Sequence, residues 1–265
     1  YELLPLTYEK LSGLQPGAYE GAWPLWQEGI EKGLMAPQFH GREHLNLMVL
    51  KEKLTRGDFE VLTALKNRSY TSISNSGYPT ISVTAAFDFW DILENNHFDE
   101  IISSGVSSFA RVFGYKPVHF NAPGASASCL IHKSLVENGI RFSDNPFLKK
   151  EHLGKGHYKT VVNYTGKILS HGLVNINRNV VFEPGANQKI DWAQYALGQT
   201  EIAFKLGKPA VISSHRVNFC GHIDPKNREV GIRELKTLLQ KMVQRWPDVE
   251  FMSTSDLGDL IYASR

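Results

Sequence analysis

His40 and His44 stand four residues apart in the segment Ala36-Pro37-Gln38-Phe39-His40-Gly41-Arg42-Glu43-His44-Leu45-Asn46. Residues at that spacing share a helical face, so with His44 in the first turn of a helix and His40 just before it, both imidazoles would converge on one point. Neutral imidazole is the commonest protein ligand for a zinc-like ion, and a short strand running into a helix start is a good mount for it. The same spacing also suits two capping or surface histidines, because an H-x-x-x-H pair without a third ligand specifies no metal by itself. Other polar clusters follow apolar runs further along. Asn121 and Pro123 follow Lys116 to Phe120, Arg178 and Asn179 lie between two β-rich runs, and Ser213-Ser214-His215-Arg216-Val217-Asn218-Phe219 follows Ala210-Val211-Ile212. In α/β proteins reactive groups gather where strands end and helices begin, so these clusters point together to a site at the carboxyl end of a sheet.

The elements that would position them are legible as short apolar runs alternating with amphipathic segments. The spacing predicts helices over 22–33, from the histidine stretch through Leu54, over 84–103, 126–138, 191–206, 227–246 and 254–262, with an earlier helical segment at Tyr8 to Leu14. Strands are expected at 34–39, 116–120, 140–142, 174–176, 180–182, 209–213 and 249–252. A Ser/Asn-rich loop covers Ser72 to Gly77, and the lysine- and glycine-rich residues 143–167 read as a long loop over one face. Strands alternating with helices imply parallel strands joined by crossovers.

Length and composition fit that architecture. The 265 residues, 42% hydrophobic and 21% charged, supply a large core, and no linker or repeat divides them, so a single domain over 1–265 is expected. A formal charge of +2 argues against a nucleic-acid partner. No apolar run reaches the roughly 18 residues of a membrane span, and no signal-peptide pattern opens the chain, which as given reads as soluble. Cys129 and Cys220 have no C-x-x-C spacing, and two buried free thiols are the default.

The ordered series His40-Gly41-Arg42-Glu43-His44, Phe120-Asn121-Ala122-Pro123-Gly124, Val211-Ile212-Ser213-Ser214-His215 and Trp246-Pro247-Asp248-Val249-Glu250-Phe251-Met252 resembles the metal-dependent polysaccharide deacetylases, in particular a divergent bacterial branch. The resemblance implies an incomplete, distorted (β/α) barrel of mostly parallel strands with outer helices, and a hydrolase that removes acetyl groups from an acylated carbohydrate. It implies a divalent ion, zinc first, on His40 and His44, with His215 as general acid to the leaving amine. Asn121 would line the groove, and Arg178, Arg216 and Asn218 would orient the sugar or hold His215. The family's first motif, an apolar strand ending in paired aspartates that supply the base and third ligand, has no counterpart before His40. That motif is expected upstream of Tyr1, with the barrel's N-terminal strand. Asn121 stands where the family has an arginine, and Gly41 where it has a hydroxyl residue; both changes suggest a retuned site. Two alternatives remain at this level. One is a non-catalytic carbohydrate-binding relative. The other is a glycoside hydrolase barrel, for which Glu43, Glu183 and Glu250 are the suggestive acids.

Overall fold

The computed structural model describes residues 22–67 and 81–264. The expected helix at Tyr8 to Leu14 and the loop at Ser72 to Gly77 lie outside the described residues. The chain packs as two compact units that interleave in sequence. One takes the described residues up to Ser143, with Glu151–Lys159 and Ser170–Leu173; the other takes Asp144–Lys150, Thr160–Leu169 and Val174–Arg265.

In the first unit, α1 (Ala22–Glu31) sets Trp23 and Trp26 against Phe113, with ring centroids 5.9 and 6.2 Å apart. Helix α2 (Leu47–Thr55) starts at Asn46 and α3 (Phe59–Lys66) at Asp58; each cap accepts a hydrogen bond from the backbone N–H three residues on, as a short polar side chain at a helix start should. His44 therefore precedes the helix rather than opening it, because Asn46 is the stronger cap. Residues 34–38 form no strand. Pairing there is confined to one parallel bridge, Phe39 to Phe120, closed by Phe39 N–H to the His119 carbonyl and Asn121 N–H to the Phe39 carbonyl.

The helix expected over 84–103 is displaced. Residues 81–89 form irregular backbone rather than helix: turns closed by the Ala85 N–H on the Ser82 carbonyl and by the Asp88 N–H on the Ala85 carbonyl interrupt the segment, residues 85–89 are all buried, and Phe87 makes a parallel bridge to Ala127. Helical structure begins only at the Asp91/Glu94 capping box, as a 3₁₀ turn over Ile92–His97 that leads into α4 (Phe98–Phe113). Strand β1 (His119–Asn121) follows, then a 3₁₀ turn and α5 (His132–Glu137), and β2 (Phe142–Asp144), on whose last residue the chain passes into the second unit. The expected loop over 143–167 contains a hairpin, β3 (Leu148–Gly154) and β4 (His157–Val162). Its two-residue turn, Lys155-Gly156, has φ of +51° and +77°, and positive φ at both positions matches the twist of paired strands.

The second unit contains β5 (Val174–Ile176), β6 (Val180–Val181), α6 (Trp192–Lys205), β7 (Ile212–Ser213), α7 (Pro225–Arg245) and α8 (Thr254–Ala263). β6 and β7 are parallel, with Val180 opposite Ile212 and Val181 opposite Ser213. They pack beneath α6 and α7 on a core of Val180, Phe182, Trp192, Ala193, Ala196, Leu197, Leu238 and Met242. The small alanines of α6 let α7 approach closely. No strand forms at 249–252, where the Val249 N–H closes a turn onto the Trp246 carbonyl. The architecture is mixed α/β, built of small sheets whose interior pairings are mostly parallel; among the described residues no closed barrel is present. The thiols are less enclosed than expected: Cys220 is exposed and Cys129 partly buried.

Asn46 does more than cap. Its amide nitrogen donates to the carbonyls of Ala85 (3.0 Å) and Asp88 (2.7 Å), and it is 1% exposed. Asn46→Ala should cost about 2–4 kcal/mol, combining a lost cap with two buried carbonyls left without a donor. Urea unfolding measures it; a loss near 0.5 kcal/mol would show that the two carbonyls do not depend on this amide.

Candidate functional site

In the first unit, the loop after the Phe39 bridge carries His40 and His44, whose ring centroids lie 5.2 Å apart, edge to face. Asn121 contributes its backbone: its carbonyl oxygen lies 2.7 Å from His40 Nδ1. A carbonyl can only accept, so Nδ1 carries the proton and Nε2 the lone pair, the state in which an imidazole binds a metal. Gly41 is explained by the backbone rather than by substrate. Its φ is +93°, and a Cβ there would meet the Phe87 ring at 3.1 Å and Pro123 at 3.3 Å. The structure thus brings His40, His44 and Asn121 together. Among the described residues no group of three or more His, Cys, Asp or Glu side chains is arranged around an ion. Two imidazoles by themselves are fewer than the three protein ligands that a catalytic zinc takes.

In the second unit, the ends of β6 and β7 bring another set together. The Phe182 N–H donates to the Ser213 carbonyl, which places Glu183 beside the residues after β7. His215 Nδ1 donates to Glu183 Oε1 at 2.7 Å, and the amide of Asn218 donates to Glu183 Oε2 at 2.6 Å. The His215 side chain is 72% exposed, whereas Asn218 is 1% exposed. Asn218 also reaches Ser214 Oγ (3.1 Å) and the His215 carbonyl (2.8 Å), and its own oxygen accepts from the Gly185 N–H (2.9 Å). A carboxylate accepting from Nδ1 fixes the ring's tautomer and orientation, leaving Nε2 as the nitrogen that can exchange a proton with solvent or substrate. Gly231 of α7 supports this turn from behind: a Cβ there would lie 1.9 Å from the Asn218 carbonyl oxygen.

Arg178 is held by other partners. Its Nε pairs with Asp144 and its Nη1 donates to Ser213 Oγ at 3.2 Å. Burial pushes the Asp144 carboxyl up to about 6, with the Arg178 guanidinium acting in the opposite direction. Arg216 is exposed on the 3₁₀ turn Arg216–Phe219, where its carbonyl accepts from Cys220 Sγ.

Two carboxylates escaped the motif reading in these roles. Glu183 was legible only as a candidate glycosidase acid; its place two residues beyond the β6 end, paralleling His215 two residues beyond β7, was the available signal. Asp144 follows the apolar Ile140-Arg141-Phe142 run without any motif to mark it. A further buried pair, Asp88 and His152 at 2.8 Å, lies in the first unit, with the His152 ring between Phe89 (4.9 Å) and Tyr158 (4.5 Å).

No protein-family profile matches the chain, and no curated protein matches it. Among solved structures it is similar to one described as a "putative polysaccharide deacetylase" from Mycobacterium smegmatis, at 16% identity and a TM-score of 0.38, covering 64% of this chain and 57% of that one. The chain thus spans little more than half of that structure's length. Identity and score of this size fix neither a shared fold nor a shared chemistry.

Two outcomes follow from the second unit's geometry. Asp144 has a folded-state pKa of about 6 against a usual 3.8, so the folded state binds the proton more tightly. Its contribution is full below about pH 4 and is lost as pH rises toward 6, on the order of 3 kcal/mol in all. Unfolding free energy measured from pH 4 to 7 should therefore fall more steeply in the wild type than in Asp144→Asn; parallel curves would contradict it. Separately, Gly231→Ala gains intrinsic helix propensity of about 1 kcal/mol yet should be destabilising by about 1–3 kcal/mol, because a backbone carbonyl fills the space its Cβ needs. A rise in thermal midpoint would show that α7 and the Asn218 turn can separate without cost.

Proposed function

We propose that the chain is a metal-dependent hydrolase that removes acyl groups, acetyl first, from an acylated carbohydrate. The observation that carries this reading is the Glu183–His215 pair, a solvent-facing imidazole oriented by a carboxylate that a buried amide in turn orients. That arrangement suits proton transfer to a leaving amine or alkoxide and has no evident structural purpose, since His215 is largely exposed.

His40 and His44 would hold the divalent ion, zinc first, His40 through the Nε2 that faces away from its Asn121 contact. When bound, such an ion polarises the acyl carbonyl and lowers the pKa of its water. The chain's own residues do the rest. His215, oriented by Glu183, would give its Nε2 proton to the departing nitrogen or oxygen as a water oxygen takes its place on the acyl carbon and the acyl bond breaks. Asn218 keeps Glu183 aimed at Nδ1 throughout, so the imidazole does not turn away when it becomes neutral. Arg178 and Arg216 would meet the sugar's polar groups, Arg178 already oriented by Asp144 and Ser213. A third ligand and the general base belong to carboxylates other than those placed at His40 and His44, as the resemblance to the deacetylases implies.

The test separates the two chemistries. Metal content and acetate release from N-acetylated oligosaccharides are measured for the wild type, His40→Ala and His215→Gln. His40→Ala should lose metal and activity together. His215→Gln should keep its metal and lose about 10²–10⁴ in kcat, the usual worth of a positioned acid. Full activity in His215→Gln would end the acid–base assignment, and a wild type that binds oligosaccharide without metal or turnover would favour the binding-protein reading.

A further inference from the structure

His40 and His44 are exposed and joined by an irregular turn, Gly41-Arg42-Glu43, yet a pair of ligands must be held within a few tenths of an ångström to bind an ion well. β1 anchors His40 through the Asn121 carbonyl. The placement of His44 relative to it depends on the turn, and the turn is fastened by one side chain. Arg42 Nε and Nη2 donate to the two oxygens of Glu43 at 2.6 and 3.1 Å, a bidentate fork. Its Nη1 reaches away to α4, to Glu100 Oε1 and Oε2 at 3.0 and 3.2 Å and to Ser104 Oγ at 2.8 Å. Glu100 and Ser104 lie one helical turn apart, so the guanidinium is clamped onto a single face of α4.

Gly105 on the same helix makes the close approach possible. A Cβ there would stand 2.9 Å from the Phe39 ring and 3.0 Å from Arg42 Cβ, so the turn and the bridge residue that precedes it both press on the bare helix backbone. Arg42 also walls a cavity of about 260 Å³ together with Leu47, Phe98 and Ile101.

We infer that Arg42 is a positioning residue for the His40–His44 pair, holding the two rings in their mutual geometry by tying the intervening turn to Glu100 and Ser104 of α4. The inference rests on the metal-site reading of the pair. Lysine cannot stand in, because a single ammonium cannot fork to Glu43 and still span to Glu100.

The experiment uses the full chain with Co(II) as the probe, and Arg42→Met, Arg42→Lys and Glu100→Gln as variants. Cobalt affinity is read from the visible spectrum. In the absence of metal, long-range nitrogen NMR reads the His40 tautomer and the nuclear Overhauser effect reads contact between the two rings. Arg42→Met and Arg42→Lys should each weaken cobalt binding about 10–100-fold, the usual effect of losing a group that orients metal ligands. Both should lose the inter-ring contact while the His40 tautomer, set by the Asn121 carbonyl, stays as in the wild type, with the ring contact of Glu100→Gln between them and the wild type. Unchanged affinity and ring contact in Arg42→Met would overturn the proposal. If Arg42→Met does not fold, Glu100→Gln decides by the same readouts. A wild type that binds no cobalt would instead remove the metal reading, while the ring contact still decides whether Arg42 positions the pair.

Discussion

The carboxylate of Glu183 accepts two short hydrogen bonds, one from His215 and one from Asn218, and much of the second unit serves to keep that carboxylate where it is. It sits two residues past β6, as His215 does past β7, and the parallel pairing of Val180 with Ile212 and Val181 with Ser213 fixes the offset between them. The apolar undersides of those strands hold α6 and α7, and α7 in turn presses Gly231 against the Asn218 carbonyl. A charge-assisted bond of this kind is strong only if its partners are already aligned, so the core's contribution to chemistry is alignment. Gly231 and Asn218 thereby govern the placement of Glu183 and, through it, of the His215 imidazole at the surface.

Asparagine is the recurring device by which this chain tolerates so much irregular backbone. Asn46 ties irregular backbone to the start of α2, and Asn179 accepts from the Val211 N–H while donating to the Pro209 carbonyl. Asn145 donates to the Asn175 side chain, and Asn177 to the Asn145 carbonyl. Each amide offers both donors and an acceptor, so it can satisfy loop groups that no strand or helix pairs. Short strands of two or three residues survive for the same reason: the hydrogen bonds a longer ladder would provide are supplied from the side.

The two chemical clusters use different means of control. Around His40 and His44 the anchoring groups are a backbone carbonyl and an arginine fork, both suited to fixing ring orientation without lending a charge directly to the imidazoles. Around His215 the anchor is a carboxylate, itself held by the buried Asn218 amide. The two surroundings orient their rings through different partners, so they distinguish histidines that composition alone leaves equivalent.

The sequence by itself determined the local items whose cause is local. The 3.6-residue spacing of apolar side chains placed α6 and α7 to within a few residues, and His40, His44 and His215 stood out as candidates from residue type and from the apolar runs before them. Only the tertiary structure decided the rest. Residues 81–89 carry apolar groups at a spacing that also fits a helix, and they form turns and irregular backbone in which the Asn46 amide takes up the Ala85 and Asp88 carbonyls. The hairpin of β3 and β4 depends on positive φ at Lys155, which no residue preference announces. The partner of His215 lies 32 residues away, and that of Arg178, Asp144, lies on a strand before the hairpin. Hydrogen bonds between distant segments depend on the register of parallel strands, and register is set by packing of the whole unit rather than by the pattern of any one strand.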